Sequence, residues 1–197
     1  MASEKDYIDT VKLTGECYVI ATSTELGPAV PYPSADHQDG NFNYGFADLR
    51  EQPELIEKIP EAQGKPGLLT LLRTINSPGS PIMSVGCANG IFTVDIPVPN
   101  GPQCYIGSYI DVAFRDVTLA TEDNLLAFSK SIIAQRKPTN RDWTTYELVV
   151  QPMRHFFGKP AFNLMLKIMT HAPDEPMAWK SFNAQCVKMS EALEQLK

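Results

Sequence analysis

Apolar and polar residues alternate along the middle of the chain, on both sides of an Asn-Gly pair. One alternating run begins at Met83, another ends at Ile96, and Asn89-Gly90 lies between them. An Asn-Gly pair in this setting is typical of a two-residue hairpin turn. The pattern therefore predicts two antiparallel strands joined at Asn89-Gly90, followed by a third strand over residues 104–118.

Apolar residues spaced by three and four positions predict helices elsewhere. Thr121 suits a helix cap and precedes Leu125 and Ile132 at helical spacing. A longer apolar stripe runs from Trp179 to Leu196. The other predicted elements are strands over residues 17–24, 144–151 and 162–170 and helical segments over residues 53–59 and 67–75. For residues 162–170 a helix is the alternative, because leucine and methionine also suit helices.

The order of these elements predicts one α+β domain over residues 1–197. We expect a mostly antiparallel sheet with helices on one face. Shifting the chain by 52 residues brings the pattern of residues 93–98 onto that of residues 145–150. This echo is consistent with two strand–helix–strand–strand halves followed by a C-terminal helix, the alternative being a chance match between two copies of a common motif. In the same alignment, Asp95 and Glu147 occupy equivalent places.

Residues 27–45 form the least regular stretch of the sequence. Their proline, glycine, asparagine and aspartate residues oppose both helix and strand. An ordered loop of this length is commonly a lid or a binding loop. We expect it to cover a binding surface, the alternative being an arm that covers a neighbouring subunit.

The charge of the chain excludes some classes of partner. The sequence contains 17 Lys and Arg residues and 23 Asp and Glu residues, which gives a net charge of −6 at pH 7. Such a chain offers no basic patch for nucleic acid or an anionic membrane. No apolar run is long enough to predict a membrane span, and the first residues do not resemble a signal peptide. We therefore expect a cytoplasmic protein with neither nucleic acid nor membrane as partner.

Familiar metal and cofactor motifs are absent from the sequence. The four cysteines are spaced by 70, 17 and 82 residues, which matches no zinc or redox motif and predicts reduced thiols. The glycine-rich dinucleotide and phosphate loops, the esterase nucleophile motif and the zinc-protease motif are also missing. No metal site is predicted, and no cofactor is indicated.

Asp95 and Glu147 are the leading candidates for a binding site. Each lies on the less apolar face of its predicted strand. Two carboxylates can bind a cationic ligand, and one that is sufficiently buried can act as a base. Three aromatic residues, Trp143, Tyr146 and Tyr44, would form the apolar walls. These residues predict a small organic ligand, the alternative being that this face simply meets water.

Two other classes of function remain open. His37 lies between Asp36 and Asp39, and a carboxylate can orient an imidazole for proton transfer in a hydrolase or isomerase. A polar turn in water is the alternative for this segment. The apolar stripe over residues 176–196 either docks on the sheet or forms the seam of a homodimer that has no pocket.

The element order and the pair Tyr146-Glu147 resemble the gyrase-inhibitor-like effector-binding domains and their haem-binding relatives. Tyr146-Glu147 looks like the aromatic–Glu pair in the late strand of that family's pocket. The resemblance covers roughly residues 16–170 and implies small-molecule binding, with Glu147 as the carboxylate of the pocket. The segment over residues 27–45 and the C-terminal helix depart from the family's pattern.

Overall fold

The computed structural model describes residues 5–13, 16–36, 42–95, 101–136 and 143–196, which form an α+β fold. The strands are β1 (Lys5–Leu13), β2 (Glu16–Ser23), β3 (Gly27–Val30), β4 (Ala35–Asp36), β5 (Phe42–Asn43), β6 (Ile82–Thr93), β7 (Cys104–Phe114), β8 (Trp143–Phe156) and β9 (Phe162–Ala172). The helices are α1 (Pro66–Asn76), α2 (Glu122–Gln135) and α3 (Glu175–Glu194), and short 3-10 helices cover Pro53–Lys58, Pro60–Ala62 and Val117–Leu119.

Six strands form one sheet in the order β1–β2–β8–β9–β7–β6. Neighbouring strands are antiparallel, except that β2 and β8 are parallel. β3 pairs in parallel with the second half of β8, and β4 and β5 form a separate two-residue ladder. The prediction of a mostly antiparallel sheet is confirmed.

The three helices pack on one face of this sheet, as predicted. α3 lies over β9 and β7, while α1 packs on β6 and α2 packs on β8, β9 and β2. Side chains of a strand point alternately to its two faces, and on β9 the buried Leu164, Leu166 and Ile168 point into the helical layer. No helix in the described part of the chain is long and apolar enough to cross a membrane.

A glycine sets the distance between α1 and α3. A Cβ atom added to Gly67 would lie 2.1 Å from the main-chain oxygen of Asn183. The main-chain N–H of Gly67 donates to the side-chain oxygen of Asn183 at 2.8 Å. Because any side chain at position 67 would separate the helices, glycine is required for this contact.

The apolar stripe of α3 is buried within its own chain. Phe182, Cys186 and Met189 are fully buried against the sheet and α1. The helix therefore docks on the sheet, which was the first of the two alternatives for this stripe. A homodimer through residues 176–196 would have to use the opposite side of the helix.

The predicted hairpin turn at Asn89-Gly90 is wrong. β6 runs unbroken through both residues, and each pairs with a residue of β7. The Asn89 side chain donates to the main-chain oxygen of Glu61 at 2.9 Å, which holds it in the strand. The chain turns after Thr93 instead, within residues 94–103, of which residues 96–100 lie outside the described part.

The strand–strand–helix unit does occur twice, as β6–β7–α2 and β8–β9–α3. The 52-residue shift does not superpose these units, because Asp95 lies beyond the end of β6 whereas Glu147 lies inside β8. A strand and α1 precede β6, but only a short 3-10 helix separates β7 from α2. The first strand–helix–strand–strand half is complete, and the second lacks its opening strand among the described residues.

Residues 27–45 are more regular than predicted. β3 places Val30 in the core, where it is fully buried. Farther along, the hydroxyl of Tyr32 donates to the main-chain oxygen of Val85 on β6 at 3.1 Å. The described part of the segment thus reaches from β8 to β6 across one end of the sheet.

Candidate functional site

The face of the sheet opposite the helices, here called the open face, is the candidate site. Residues of β6, β7, β9 and β8 form rows across it because neighbouring strands pair in register. The rows are Phe92, Tyr105, His171 and Trp143; Gly90, Gly107, Met169 and Thr145; Ala88, Tyr109, Lys167 and Glu147; and Gly86, Asp111, Met165 and Val149.

The first of these rows, the aromatic row, is a platform of stacked rings. The ring centroids of Phe92 and Tyr105 are 5.1 Å apart, and those of Tyr105 and His171 are 5.2 Å apart. Trp143 pairs in register with His171 and is 65% exposed. Stacked rings cover one another's faces, so the exposed Trp143 at the end of the row offers the surface for a further ring.

Glycine in the second row lets the platform lie close to the sheet. A Cβ atom at Gly107 would come within 3.0 Å of the Phe92 ring. The neighbouring Gly90 would bring its Cβ within 3.5 Å of the same ring. Gly107 therefore makes room for an aromatic ring that lies against the backbone, whereas the distance at Gly90 is an ordinary contact.

The third row holds a partly buried ion pair. Nζ of Lys167 donates to Oε2 of Glu147 at 2.9 Å, and the two side chains are 25% and 12% exposed. Lys167 and His171 are four residues apart on β9, so the ion pair lies about 13 Å from the aromatic row. A charge-assisted bond of this kind is stronger than a neutral one.

The fourth row contains a buried acid, Asp111, that is only 7% exposed. Burial disfavours the ionised carboxylate and raises the pKa of Asp111 to about 7, against the opposing effects of Asn163 and Lys167. Nδ2 of Asn163 donates to Oδ1 of Asp111 at 2.7 Å, and Oδ1 of Asn163 is buried without a hydrogen-bond partner. The open face thus carries a carboxyl group that changes its charge near neutral pH.

A polar niche lies beside Asp111, above Gly86. A Cβ atom at Gly86 would be 3.5 Å from the hydroxyl of Tyr32 and 3.8 Å from Oδ2 of Asp111. Burial raises the pKa of Tyr32 to about 12, and burial and then Asp111 raise the pKa of Tyr109. Both phenols are therefore protonated at neutral pH, and since the Tyr32 hydroxyl donates its proton to Val85, its oxygen can accept a hydrogen bond in the niche.

The structure divides the predicted pocket residues between the two faces of the sheet. Trp143 and Glu147 both lie on the open face. Tyr146 lies on the opposite face, where its ring stacks on Tyr18 at 4.7 Å and its hydroxyl bonds to Arg136 at 2.7 Å. Tyr146 is therefore not a pocket wall, because successive residues of a strand point in opposite directions.

The structure does not bring Asp95 and Glu147 together. Asp95 is exposed and lies beyond the end of β6, while Glu147 is inside β8, three strands away. Three strand spacings alone amount to about 14 Å. The predicted pair of carboxylates is wrong, since it relied on a hairpin and an echo that the strand boundaries do not follow.

The remaining predicted residues lie in the segment before α1. Tyr44 follows β5 and is 66% exposed. Asp36 is in β4, and His37 and Asp39 lie outside the described residues. The proton-transfer hypothesis for His37 with Asp36 or Asp39 therefore stays a prediction.

Sequence reasoning missed several residues of the open face, above all Asp111. A signal was present, because Asp111 interrupts an apolar run between Ile110 and Phe114. Lys167 gave no such signal, since its significance comes from register across strands that are distant in sequence.

Known metal chemistry and known relatives do not identify the site. Among the described residues, no group of three or more His, Cys, Asp or Glu side chains is placed to hold a metal ion. Comparison of the chain with protein-family models, curated proteins and solved structures finds no match.

Proposed function

We propose that the protein binds a small, planar organic ligand on the open face of its sheet. Trp143, at the end of the aromatic row, would stack on the ring system of the ligand, and the pair formed by Glu147 and Lys167 would bind its polar end. Ligand binding is also the function expected from the sequence, but the binding residues differ. Lys167 and the aromatic row take the roles expected for Asp95 and Tyr146.

One observation carries this proposal. One face of the sheet holds both a stacked aromatic row and a partly buried ion pair, aligned along the same strands. Ligand sites commonly combine apolar and aromatic surface with a few fixed polar groups. The separation of about 13 Å along the strands suits a ligand of two or three fused or linked rings.

Glu147→Gln is expected to weaken ligand binding at least tenfold while leaving the apo protein folded. The substitution keeps the shape of the side chain and removes the charge, and a hydrogen bond to a charged group contributes about 1.5–3 kcal/mol. Native mass spectrometry of protein purified under non-denaturing conditions measures the fraction that retains a small molecule. Thermal shifts with a panel of planar aromatic compounds supply a second measurement.

Glu191→Gln is the matched control, because Glu191 is exposed on α3 and undergoes the same chemical change. It should retain ligand like the wild type. If Glu147→Gln retains the same compound to the same extent as Glu191→Gln, the ion pair has no part in binding. If Trp143→Ala and Tyr105→Ala also bind normally, the open face is not the site.

Two finer statements are also proposals. The four free cysteines favour a cytoplasmic location. A homodimer through residues 176–196 is supported only by exposed apolar side chains of α3, Met177 and Val187. Sedimentation of Val187→Glu, compared with the wild type, tests the dimer, and an unchanged sedimentation coefficient would argue against it.

A further inference from the structure

A cleft lined by three cationic side chains lies at the end of the sheet where β7 and β8 finish. Its volume is about 230 Å³, and its lining residues are Arg50, Arg115, Val117, Phe156, Phe157 and Lys159. A larger cleft of about 670 Å³ adjoins it and shares Arg50 and Arg115. The concentration of positive charge is notable in a chain whose net charge is −6.

Main-chain carbonyl groups hold Arg115 in place. Its Nε donates to the oxygen of Ile82 at 3.0 Å, and its Nη2 donates to the oxygen of Ser77 at 2.6 Å. A longer bond of 3.4 Å joins Nη1 to the oxygen of Pro78. A guanidinium group has five N–H donors, so two donors remain, and none of these fixed bonds neutralises the charge.

Arg50 is fixed close to Arg115 by a carboxylate. Its Nε donates to Oδ1 of Asp48 at 2.7 Å, and its Nη2 contacts Oδ2 of the same residue. Burial, followed by repulsion from Arg50, lowers the pKa of Arg115. Two guanidinium groups are thus held near each other, although like charges repel.

The charges around the small cleft sum to a positive value. Lys159 is exposed in the turn between β8 and β9. Asp48 is bonded to Arg50, and Asp116 accepts hydrogen bonds from Thr118 and lies near enough to Lys159 for its pKa to be affected. Three cations and these two carboxylates leave a net charge of +1, while Glu51 borders only the larger cleft.

An aromatic wall with an unusual backbone completes the cleft. Phe157 has φ of 49°, the left-handed region that bulky residues rarely adopt. Its N–H donates to the oxygen of Val30 at 2.7 Å, and its ring packs against those of Phe46 and Phe156. Phe157 and Gly158, whose φ is 75°, are the two central residues of the tight turn between β8 and β9, a turn in which both positions have a positive φ.

We propose that this cleft binds an organic oxyanion, a phosphate or carboxylate group attached to a small apolar group. The free N–H donors of Arg50 and Arg115 would bind two oxygens, Lys159 would contribute its charge, and Val117 and Phe157 would contact the apolar part of the ligand. The site is separate from the aromatic row and does not depend on the function proposed for the open face.

Isothermal titration calorimetry with phenyl phosphate, inorganic phosphate and phenol tests this proposal. Wild-type protein is expected to bind phenyl phosphate more tightly than inorganic phosphate and not to bind phenol. Raising the salt from about 50 to about 200 mM should weaken binding, because exposed charges are screened. Benzoate in place of phenyl phosphate distinguishes a carboxylate site from a phosphate site.

Lys159→Met is expected to weaken the binding of phenyl phosphate at least fivefold. Lys180→Met is the matched control, since Lys180 is exposed on α3 and loses the same charge. Arg115→Lys should weaken the binding of phenyl phosphate further. If Arg115→Lys does not fold, Lys159→Met still tests the proposal, because Lys159 is exposed. Equal affinities of the two lysine variants, equal affinities for phenol and phenyl phosphate, or no binding of any oxyanion would overturn the proposal. Equal affinities for inorganic phosphate and phenyl phosphate would overturn the claim that the cleft also binds the apolar group attached to the oxyanion.

Discussion

Arg136→Met is expected to lower the free energy of unfolding by about 3–5 kcal/mol, the usual cost of removing one partner from a buried ion pair. Arg136 and Glu16 are almost completely buried, and Nη2 of Arg136 lies 3.4 Å from Oε2 of Glu16. Without the guanidinium group, the Glu16 carboxylate would depend on Tyr18, which donates at 2.8 Å, and on Lys188 at 3.8 Å. Urea denaturation followed by circular dichroism measures the loss.

The expected loss of stability is large because several buried side chains form hydrogen bonds with the Arg136 guanidinium group. Its Nη2 also bonds to the hydroxyl of Tyr146, which in turn donates to Oε1 of Gln185 at 2.6 Å. Burial raises the pKa of Tyr18 and Tyr146 far above that of an ordinary phenol, so both hydroxyls stay protonated. Removing the cation would leave buried polar groups on β2, β8 and α3 with incomplete hydrogen bonding.

Arg73→Met is the matched control for this prediction. Arg73 pairs with Glu57, and both side chains are about half exposed, at 54% and 53%. A pair in water contributes less than about 1 kcal/mol. The double variant Arg136→Met/Glu16→Gln should regain part of the loss, because it also removes the buried negative charge that Arg136 balanced. Equal losses from Arg73→Met and Arg136→Met would show that the buried network does not stabilise the fold.

Local signals predicted the helices well. Thr121 was expected to cap a helix, and its hydroxyl accepts a hydrogen bond from the N–H of Asn124 at 3.4 Å. Helical spacing placed the apolar stripe of α3, whose Phe182 and Met189 are fully buried. Caps and helical periodicity act within a few residues of chain, so a single sequence contains the information needed.

Strand pairing was harder to predict because it depends on residues that are distant in the chain. The Asn89-Gly90 pair fits a turn locally, but pairing with β7 and the bond to Glu61 hold it in a strand. β1 was not expected at all, and it exists as the antiparallel partner of β2. Tertiary pairing thus overrode local turn preference.

The candidate site shows both what alternation can predict and where it fails. Trp143 and Glu147 are four residues apart, so a strand places both on one face. Tyr146 and Glu147 are adjacent, so the same rule separates them, and an aromatic–Glu pair on a strand cannot line one surface. The rows that include Asp111 required the register of four strands, which no local pattern contains.

Asp111→Asn is expected to change the pH dependence of stability more than any other substitution on the open face. Burial raises the pKa of Asp111 from an ordinary 3.8 to about 7. The unfolded chain therefore loses this proton at lower pH than the folded protein. The stability contributed by the protonated carboxyl is complete below about pH 4, falls as the pH rises toward 7, and stays constant above that value. The total change is about 4 kcal/mol for a shift of about three pKa units.

Asparagine at position 111 can still accept the hydrogen bond from Asn163 and cannot ionise. The variant should therefore exceed the wild type in stability at pH 8 by up to about 4 kcal/mol, and the difference should disappear near pH 4. Urea denaturation at several pH values measures it. Asp116→Asn is a control in which stability should change with pH in the opposite direction, because hydrogen bonds from Thr118 lower the pKa of this exposed carboxyl. Its stabilising contribution is present above the unfolded pKa and is lost as the pH falls. The prediction is wrong if the difference in free energy of unfolding between the wild type and Asp111→Asn does not vary with pH. Asp111 would then ionise as freely in the folded protein as in the unfolded chain, and the open face would carry its negative charge at neutral pH.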